Sequence, residues 1–396
     1  MIIGLVGSPS SGKSTFFKAS TLQEVDIANY PFTTIDKNEG VGHVRITCIE
    51  KEFNTKCNPR YGFCEKGQRF VPVRLIVVAG LVPGAHKGEG RGLEFLDDLR
   101  QADVLIQVID ASGSTNEKGE PVDAGSYDPL FDVKFLSMEL DMWFLGLIKK
   151  GWDRFARKIQ QEKSNINNAL AKQLSGLNVT EDLIIEATNK LNLDPTTPVN
   201  WSEENLHELA IFLRKKTKPL VVAANKIDLP TAKENVERLK KEFADLVIVP
   251  CSAESELALR EAARKQLIKY LPGDADFEII GELNEKQKQA LNFIKEKILN
   301  EWKNTGVQDC LNKAVFDFLN YIVIFPGAAN NLADSKGNIL PDCFLLKKGS
   351  TALDFAFKIH QDIGNKFSCA IDARSGKRLG RDYELKDHDV LKIMTN

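Results

Sequence analysis

The stretch Gly7-Ser8-Pro9-Ser10-Ser11-Gly12-Lys13-Ser14 constrains this chain more than any other. It fits the pattern GxxxxGK[ST], follows the apolar run Met1–Val6 directly, and leads into a helical stretch, Ser14–Ala19. Gly7 and Gly12 let the main chain curl so that successive N–H groups point inward at an anion. The start of the helix adds the positive end of its dipole. Strand, turn and helix in this order make a phosphate loop, in which Ser8, Pro9, Ser10, Ser11 and Thr15 complete the cradle. Lys13 brings a cation toward β- and γ-phosphates, and the Ser14 hydroxyl is placed to bind Mg²⁺.

Further apolar runs at Val73–Val78, Val104–Ile109, Leu220–Ala224 and Leu246–Val249 suit strands buried on both faces of a parallel sheet. Helical patterns fall between them, as βαβ winding requires. The expected fold is therefore α/β, a doubly wound, mainly parallel sheet of the P-loop NTPase type. Between about Pro129 and Lys218 the alternation stops. Trp152, Phe155, Ile159, Ile166 and Leu170 recur at helical spacing, which predicts an inserted helical domain, read as an antiparallel pair. Seven Lys/Arg against Asp153 and Glu162 between Lys149 and Lys172 make that insertion locally basic. On charge alone this is a solvated face. Helix formers run from Glu285 to Lys303, and the end of the chain mixes short strands with one amphipathic helix, Ala352–Ile363. The expected division is a discontinuous nucleotide-binding domain (1–128 and 218–282), a helical insertion (129–217), a helical connector (283–320) and an α+β module (321–396).

Asn225-Lys226-Ile227-Asp228 follows the run Leu220–Ala224, where a doubly wound sheet presents ligand loops. A carboxylate there accepts paired hydrogen bonds from N1–H and the 2-amino group of guanine, and adenine offers neither donor. Asn225 and Lys226 would brace the loop and cover the base, and main-chain donors of Cys251-Ser252-Ala253 would meet the guanine carbonyl. Behind a phosphate loop, this order predicts GTP and GDP as ligands. A small-molecule kinase would share the phosphate loop but would not need the second motif.

The stretches GSPSSGKSTFF, NYPFTTIDKNEG, VAGLVPGAHKGEGRG, NKID and CSA together resemble the Obg superfamily of GTPases, in particular its YchF-type (Obg-like ATPase) members of archaeal form. The stretch LPDCFLLKKGSTALDFAFKIHQDIGNKF resembles a TGS domain. The resemblance implies that Thr34, with Phe32 and Thr33 beside it, forms a first switch whose threonine binds Mg²⁺ along with Ser14. It implies that Gly80 contacts the γ-phosphate, and it makes His86 a candidate catalytic group because Leu81 stands where related enzymes have a water-orienting glutamine. Taken alone, a single histidine in such a loop is more often just a solvated side chain. Val77 occupies the position of the DxxG aspartate, so a carboxylate that orders the Mg²⁺ waters is missing and slow turnover is expected. Members that prefer ATP carry a degenerate base motif, whereas NKID is intact; dual use of ATP and GTP stays open. So does a nucleotide-stabilised adaptor with little turnover. The resemblance further implies association with ribosome or RNA through the insertion and the TGS domain.

Lys plus Arg (53) nearly balance Asp plus Glu (55), so global charge predicts no polyanion partner, and no DNA partner is expected. No apolar run approaches the ~20 residues that cross a bilayer, and the start MIIGLVGS has no basic leader. A cytoplasmic protein without membrane association is expected. Seven cysteines, an odd number, read as reduced thiols. Cys48, Cys57 and Cys64 match no familiar zinc spacing and have no paired histidine, so they are expected to be free.

Overall fold

The computed structural model describes residues 1–21, 38–78, 98–327, 332–333 and 337–396. Packing divides them into two compact units, the first built chiefly from Met1–Ala19 and Arg74–Cys310, the second from Val41–Val73 and Leu311–Asn396. Strands β1 (Ile2–Val6), β2 (Glu39–Thr47), β3 (Phe63–Glu65), β4 (Gln68–Val77), β5 (Val104–Asp110), β6 (Leu220–Asn225) and β7 (Val247–Pro250) share one sheet. Its order is β2-β4-β1-β5-β6-β7, with β3 on the flank of β4.

In the first unit β1 pairs in parallel with both β4 and β5, and β5–β6 and β6–β7 are parallel as well. Every residue of β5 and β6 is buried, which is why these strands read as continuous apolar runs rather than alternating ones. All five runs singled out in the sequence are strands. The direction of winding reverses beside β1, and the carboxyl ends of β1, β5, β6 and β7 open there onto their loops, where a doubly wound sheet holds its ligand. Helix α1 (Lys13–Thr21) leaves the loop after β1.

The insertion is helical, but it is not a simple pair. Five helices occupy it: α2 (Leu130–Lys149), α3 (Trp152–Gln161), α4 (Ile166–Gln173), α5 (Glu181–Lys190) and α6 (Glu203–Thr217). The breaks are local. Gly151 turns at φ +73°, Asn165 and Thr180 cap the next helices through their side chains, and Asn178 takes φ +58°. Leu136, Leu140, Phe144 and Ile148 of α2 share a core with Leu206, Leu209 and Leu213 of α6. Each such buried side chain contributes about 1.5–3 kcal/mol relative to exposure. Arg214 Nε donates to Asp141 Oδ1 at 2.7 Å within that packing.

Helices α7 (Ala232–Glu242) and α8 (Ala253–Arg264) follow β6 and β7, and a two-stranded ladder of β8 (Ile268–Lys269) and β9 (Glu278–Ile279) precedes α9 (Glu285–Phe293).

In the second unit β10 (Tyr321–Pro326), β11 (Phe344–Lys347), β12 (Phe367–Asp372), β13 (Arg378–Leu379) and β14 (Asp389–Thr395) form a sheet in the order β11-β10-β14-β12-β13. Helix α10 (Ala352–Ile359) starts in a capping box of Thr351 and Asp354 and sets Phe355 into a core with Ile322, Ile324, Leu346 and Leu391. The stretch from Val41 to Val73 packs with these last residues. Asn58 N–H donates to Ile339 O and Arg60 N–H to Pro341 O, each at 2.8 Å. Among the described residues no helix is long and apolar enough to cross a membrane.

Candidate functional site

The loop after β1 has the curl its glycines suggest. Gly12 sits at φ +94°, and a Cβ there would lie 2.1 Å from Asn225 Nδ2. A Cβ on Gly7 would lie 2.2 Å from Val108 O. Both positions therefore require glycine on steric grounds as well as torsional ones. Lys13 Nζ donates to Gly7 O at 3.1 Å, folding back over the loop, and burial holds its ammonium below the usual lysine range. Phe16 N–H donates to Gly12 O at 2.8 Å and starts the helix. The Ser11 hydroxyl is buried with no hydrogen-bond partner among the described residues, and Ser14 is exposed. A main-chain cradle too tight for a Cβ, lined by a lysine and an unpaired buried hydroxyl, fits an oxygen-rich anion. Ser14 is the one described donor of the set expected for Mg²⁺.

The motif after β6 is joined to this loop through a single side chain. Asn225 Nδ2 donates to Ser11 O at 2.9 Å, and Asn225 Oδ1 accepts from Ala253 N–H at 2.9 Å. Asn225 is 4% exposed, so neither bond competes with water. Lys226 takes φ +65°, and its Nζ reaches Asp110 Oδ2 at 2.7 Å. Asp228, half-buried, accepts from the Ser252 hydroxyl at 2.9 Å through Oδ1, and Oδ2 takes no hydrogen bond from the described residues. One carboxylate oxygen is thus braced and the other is free to accept.

The amides expected to meet a base carbonyl are engaged inside the protein. Cys251 N–H donates to Ala224 O at 2.8 Å, Ser252 N–H to Thr305 O at 2.9 Å, and Ala253 N–H to Asn225. Their role here is to lock β7 and α8 to the base loop, so they are not idle donors. Phe32, Thr33, Thr34, Gly80, Leu81 and His86 lie outside the described residues. Val77 is the last residue of β4, half-buried, with its N–H donated to Asn38 O at 2.7 Å.

Two carboxylates were not anticipated. Asp110 ends β5 and accepts from Lys226, the Ser112 and Ser114 hydroxyls, and Thr115 Oγ1. Burial pushes its carboxyl up, but Lys226 and the hydroxyls outweigh that, and the net result lies below the usual carboxylate range. Asp110 is therefore an ionised anchor that aims Lys226. The signal was in the sequence: an apolar strand ending in Asp and followed by Ser112, Ser114 and Thr115 at the edge where ligand loops emerge.

Asp132, on α2, accepts from the Ser8 hydroxyl at 2.8 Å and from Tyr127 OH at 3.2 Å, both on Oδ1. Burial raises its carboxyl above the usual range, with the two hydroxyls offsetting part of that. A cavity of about 1100 Å³ opens beside Ser8, Pro9, Tyr127, Phe131 and Met138, away from Lys13, Asn225 and Asp228.

Because the folded state holds the Asp132 proton more tightly than the unfolded chain, the stability tied to this group is full below its unfolded pKa, ~3.9. It is lost as pH rises through the higher folded value. An Asp132→Asn variant keeps Oδ1 as acceptor and never ionises. It should melt a few degrees above the parent at pH 7–8, the gap closing near pH 4, in thermal scans across pH.

A phosphate loop coupled through one buried asparagine to a carboxylate loop, at the switch point of a parallel sheet, defines a P-loop nucleotide-binding protein. Three family models match the chain: one described as a 50S ribosome-binding GTPase over residues 2–129, the G4 motif-containing domain of the Obg-like GTPase YGR210-like group over 223–328, and the TGS domain over 336–395. The chain belongs to the YchF/Obg-like GTPase family. An uncharacterized GTP-binding protein of Methanocaldococcus jannaschii is 51% identical over 397 residues, covering 100% of this chain and 99% of its own. The ribosome-binding ATPase YchF of Bacillus subtilis is 30% identical over 422 residues, covering 99% and 98%. The crystal structure of a GTP-binding protein from Pyrococcus horikoshii is similar over 100% of both chains, with a TM-score of 0.79 at 39% identity.

Proposed function

We propose that this protein is a guanine-nucleotide switch that hydrolyses GTP slowly and acts in association with the ribosome. The observation that carries the nucleotide half is Asn225, which spans the phosphate loop and the Asp228 loop with one side chain. A ligand that fills both ends at once must carry phosphates and a base at a fixed separation, and the free Oδ2 of Asp228 suits the two donors of guanine. In this reading Gly7 to Thr15 hold the phosphates, Lys13 and Thr34 stabilise charge on the γ-phosphate, and His86 acts near the attacking water. Gly80 senses the γ-phosphate, with Phe32 and Thr33 beside it, and Ser252 and Ala253 support the base loop. Magnesium, held by Ser14 and Thr34, would neutralise charge between the β- and γ-phosphates.

The ribosome half draws on the name of the Bacillus subtilis relative and on charge. Lys150, Arg154 and Arg157 are exposed on the insertion, whereas Lys149 and Lys158 are paired with Glu203 and Glu162. Slow turnover draws on Leu81 and Val77.

Calorimetric titration with GTP, GDP and ATP, with and without Mg²⁺, tests the ligand, and single-turnover hydrolysis with and without ribosomes tests the switch. Equal affinity for guanine and adenine nucleotides would overturn the reading. Restoring the carboxylate should raise turnover: Val77→Asp is expected to speed single-turnover hydrolysis about 10–100-fold and to tighten Mg²⁺ dependence. An unchanged rate would mean that Val77 does not limit catalysis.

A further inference from the structure

Three thiols whose sequence spacing matches no familiar zinc pattern, and which were expected to be free, converge in the second unit. Cys48 follows β2 directly, Glu50 lies in a single 3₁₀ turn (Ile49–Lys51), Cys57 lies in the loop beyond it, and Cys64 lies in β3. The three Sγ atoms and a carboxylate oxygen of Glu50 all lie within 4.8 Å of one another. Cys48 Sγ and Cys57 Sγ are 3.7 Å apart. A disulfide would need about 2.05 Å, so this pair is not bonded. Two thiolates on one tetrahedral zinc, each ~2.3 Å from the metal, sit ~3.8 Å apart, which is the spacing seen.

The backbone holds these donors in place without using them up. Cys48 N–H donates to Gly67 O at 2.8 Å, Thr55 N–H to Glu50 O at 2.9 Å, and Cys57 N–H to Glu50 Oε2 at 3.0 Å. Between the 3₁₀ turn and β3 the chain forms no helix or strand, yet Cys48 and Cys57 are only 4% and 8% exposed.

A second observation concerns charge. Arg69 is fully buried, its Nη1 and Nη2 donate to Leu340 O and Pro341 O, and its Nε has no partner among the described residues. Among the described residues it meets no carboxylate within 4.0 Å, and it lies within Coulombic reach of Cys48. A buried guanidinium calls for a nearby negative centre. Three thiolates and one carboxylate around a divalent cation leave two negative charges in excess, which would meet that need.

We propose that Cys48, Cys57, Cys64 and Glu50 bind one thiophilic divalent cation, zinc, and that the metal staples residues 48–64 to the hairpin of β3 and β4. Soft thiolate donors select zinc over magnesium or calcium, so this site is chemically distinct from the one at Ser14. Binding consumes no oxidant: each thiol loses its proton to solvent as its sulfur donates to the metal. The buried pair Cys251 and Cys310, at 3.5 Å, has among the described residues no third thiol or carboxylate of this kind and is an internal comparison.

The test uses full-length protein purified under reducing conditions from zinc-supplemented medium, with metal content read by mass spectrometry. About one zinc per chain is expected, falling about tenfold or more in Cys57→Ser and in Cys64→Ser and retained in Cys369→Ser. Because a cysteine variant can fail to fold, the parent protein supplies a second readout. Cobalt added to chelator-treated parent should give thiolate-to-metal charge-transfer absorption and the intense visible bands of a tetrahedral centre. Parent zinc no higher than that of a Cys48→Ser/Cys57→Ser/Cys64→Ser triple variant would overturn the proposal. So would a Cys48–Cys57 disulfide found by alkylation and mass analysis in freshly purified protein.

Discussion

An Asp228→Ala variant is expected to lose the preference for guanine over adenine nucleotides and to bind GTP about two to four orders of magnitude more weakly. Two hydrogen bonds from a base to a carboxylate contribute about 1.5–3 kcal/mol each, which sets that range. ATP affinity should change little or improve, because adenine leaves the Asp228 oxygen without a donor and removal of the carboxylate relieves that penalty. The geometry limits collateral damage. From the described residues Asp228 accepts one bond, from the Ser252 hydroxyl, whose oxygen itself accepts from Ser255 N–H, so α8 keeps its cap. Competition binding with GTP, GDP and ATP decides the matter. A variant that keeps the parent's base preference would show that the base is read elsewhere.

Gly12→Ala should be as damaging to triphosphate binding without touching a charged group. The new Cβ would sit 2.1 Å from Asn225 Nδ2 on a residue already at φ +94°. Either the phosphate loop shifts or Asn225 swings away and abandons Ser11 O and Ala253 N–H, both buried. Backbone strain of about 1–3 kcal/mol adds to unsatisfied polar groups at about 1–3 kcal/mol each. A fall in GTP affinity of about 10²–10⁴-fold is therefore expected, measured by calorimetry beside a circular dichroism melt that shows the fold retained. Asn225→Ala in the same background should add little, since the bond is already broken. Additive losses would mean that the two loops are not coupled through this contact.

Much of the site was legible in the chain. The phosphate loop, NKID and the five buried strands are encoded over a few residues each, and local spacing is enough to set local backbone geometry. The terminal module was legible in its strands at Phe344, Phe367 and Val390 and in the helix that begins at Ala352. Strand β10 was not: Ile324 joins Asp389 and Phe344 across distances in sequence that no short pattern records. The insertion read as one pair because helical periodicity persists on either side of Gly151, where the break between α2 and α3 takes only two residues.

Sequence alone determined where the candidate phosphate and base motifs sit along the chain, because each motif is a continuous segment whose own residues dictate its shape. Only the tertiary structure decided how those segments serve one another: Asn225 as the link between two loops, Asp110 as the anchor of Lys226, and the Cys251–Ala253 amides spent on internal bonds. The meeting of Cys48, Cys57 and Cys64 belongs to the same class. A strand end, a loop and a hairpin each contribute one thiol, and their convergence depends on hydrogen bonds between segments rather than on spacing within any of them.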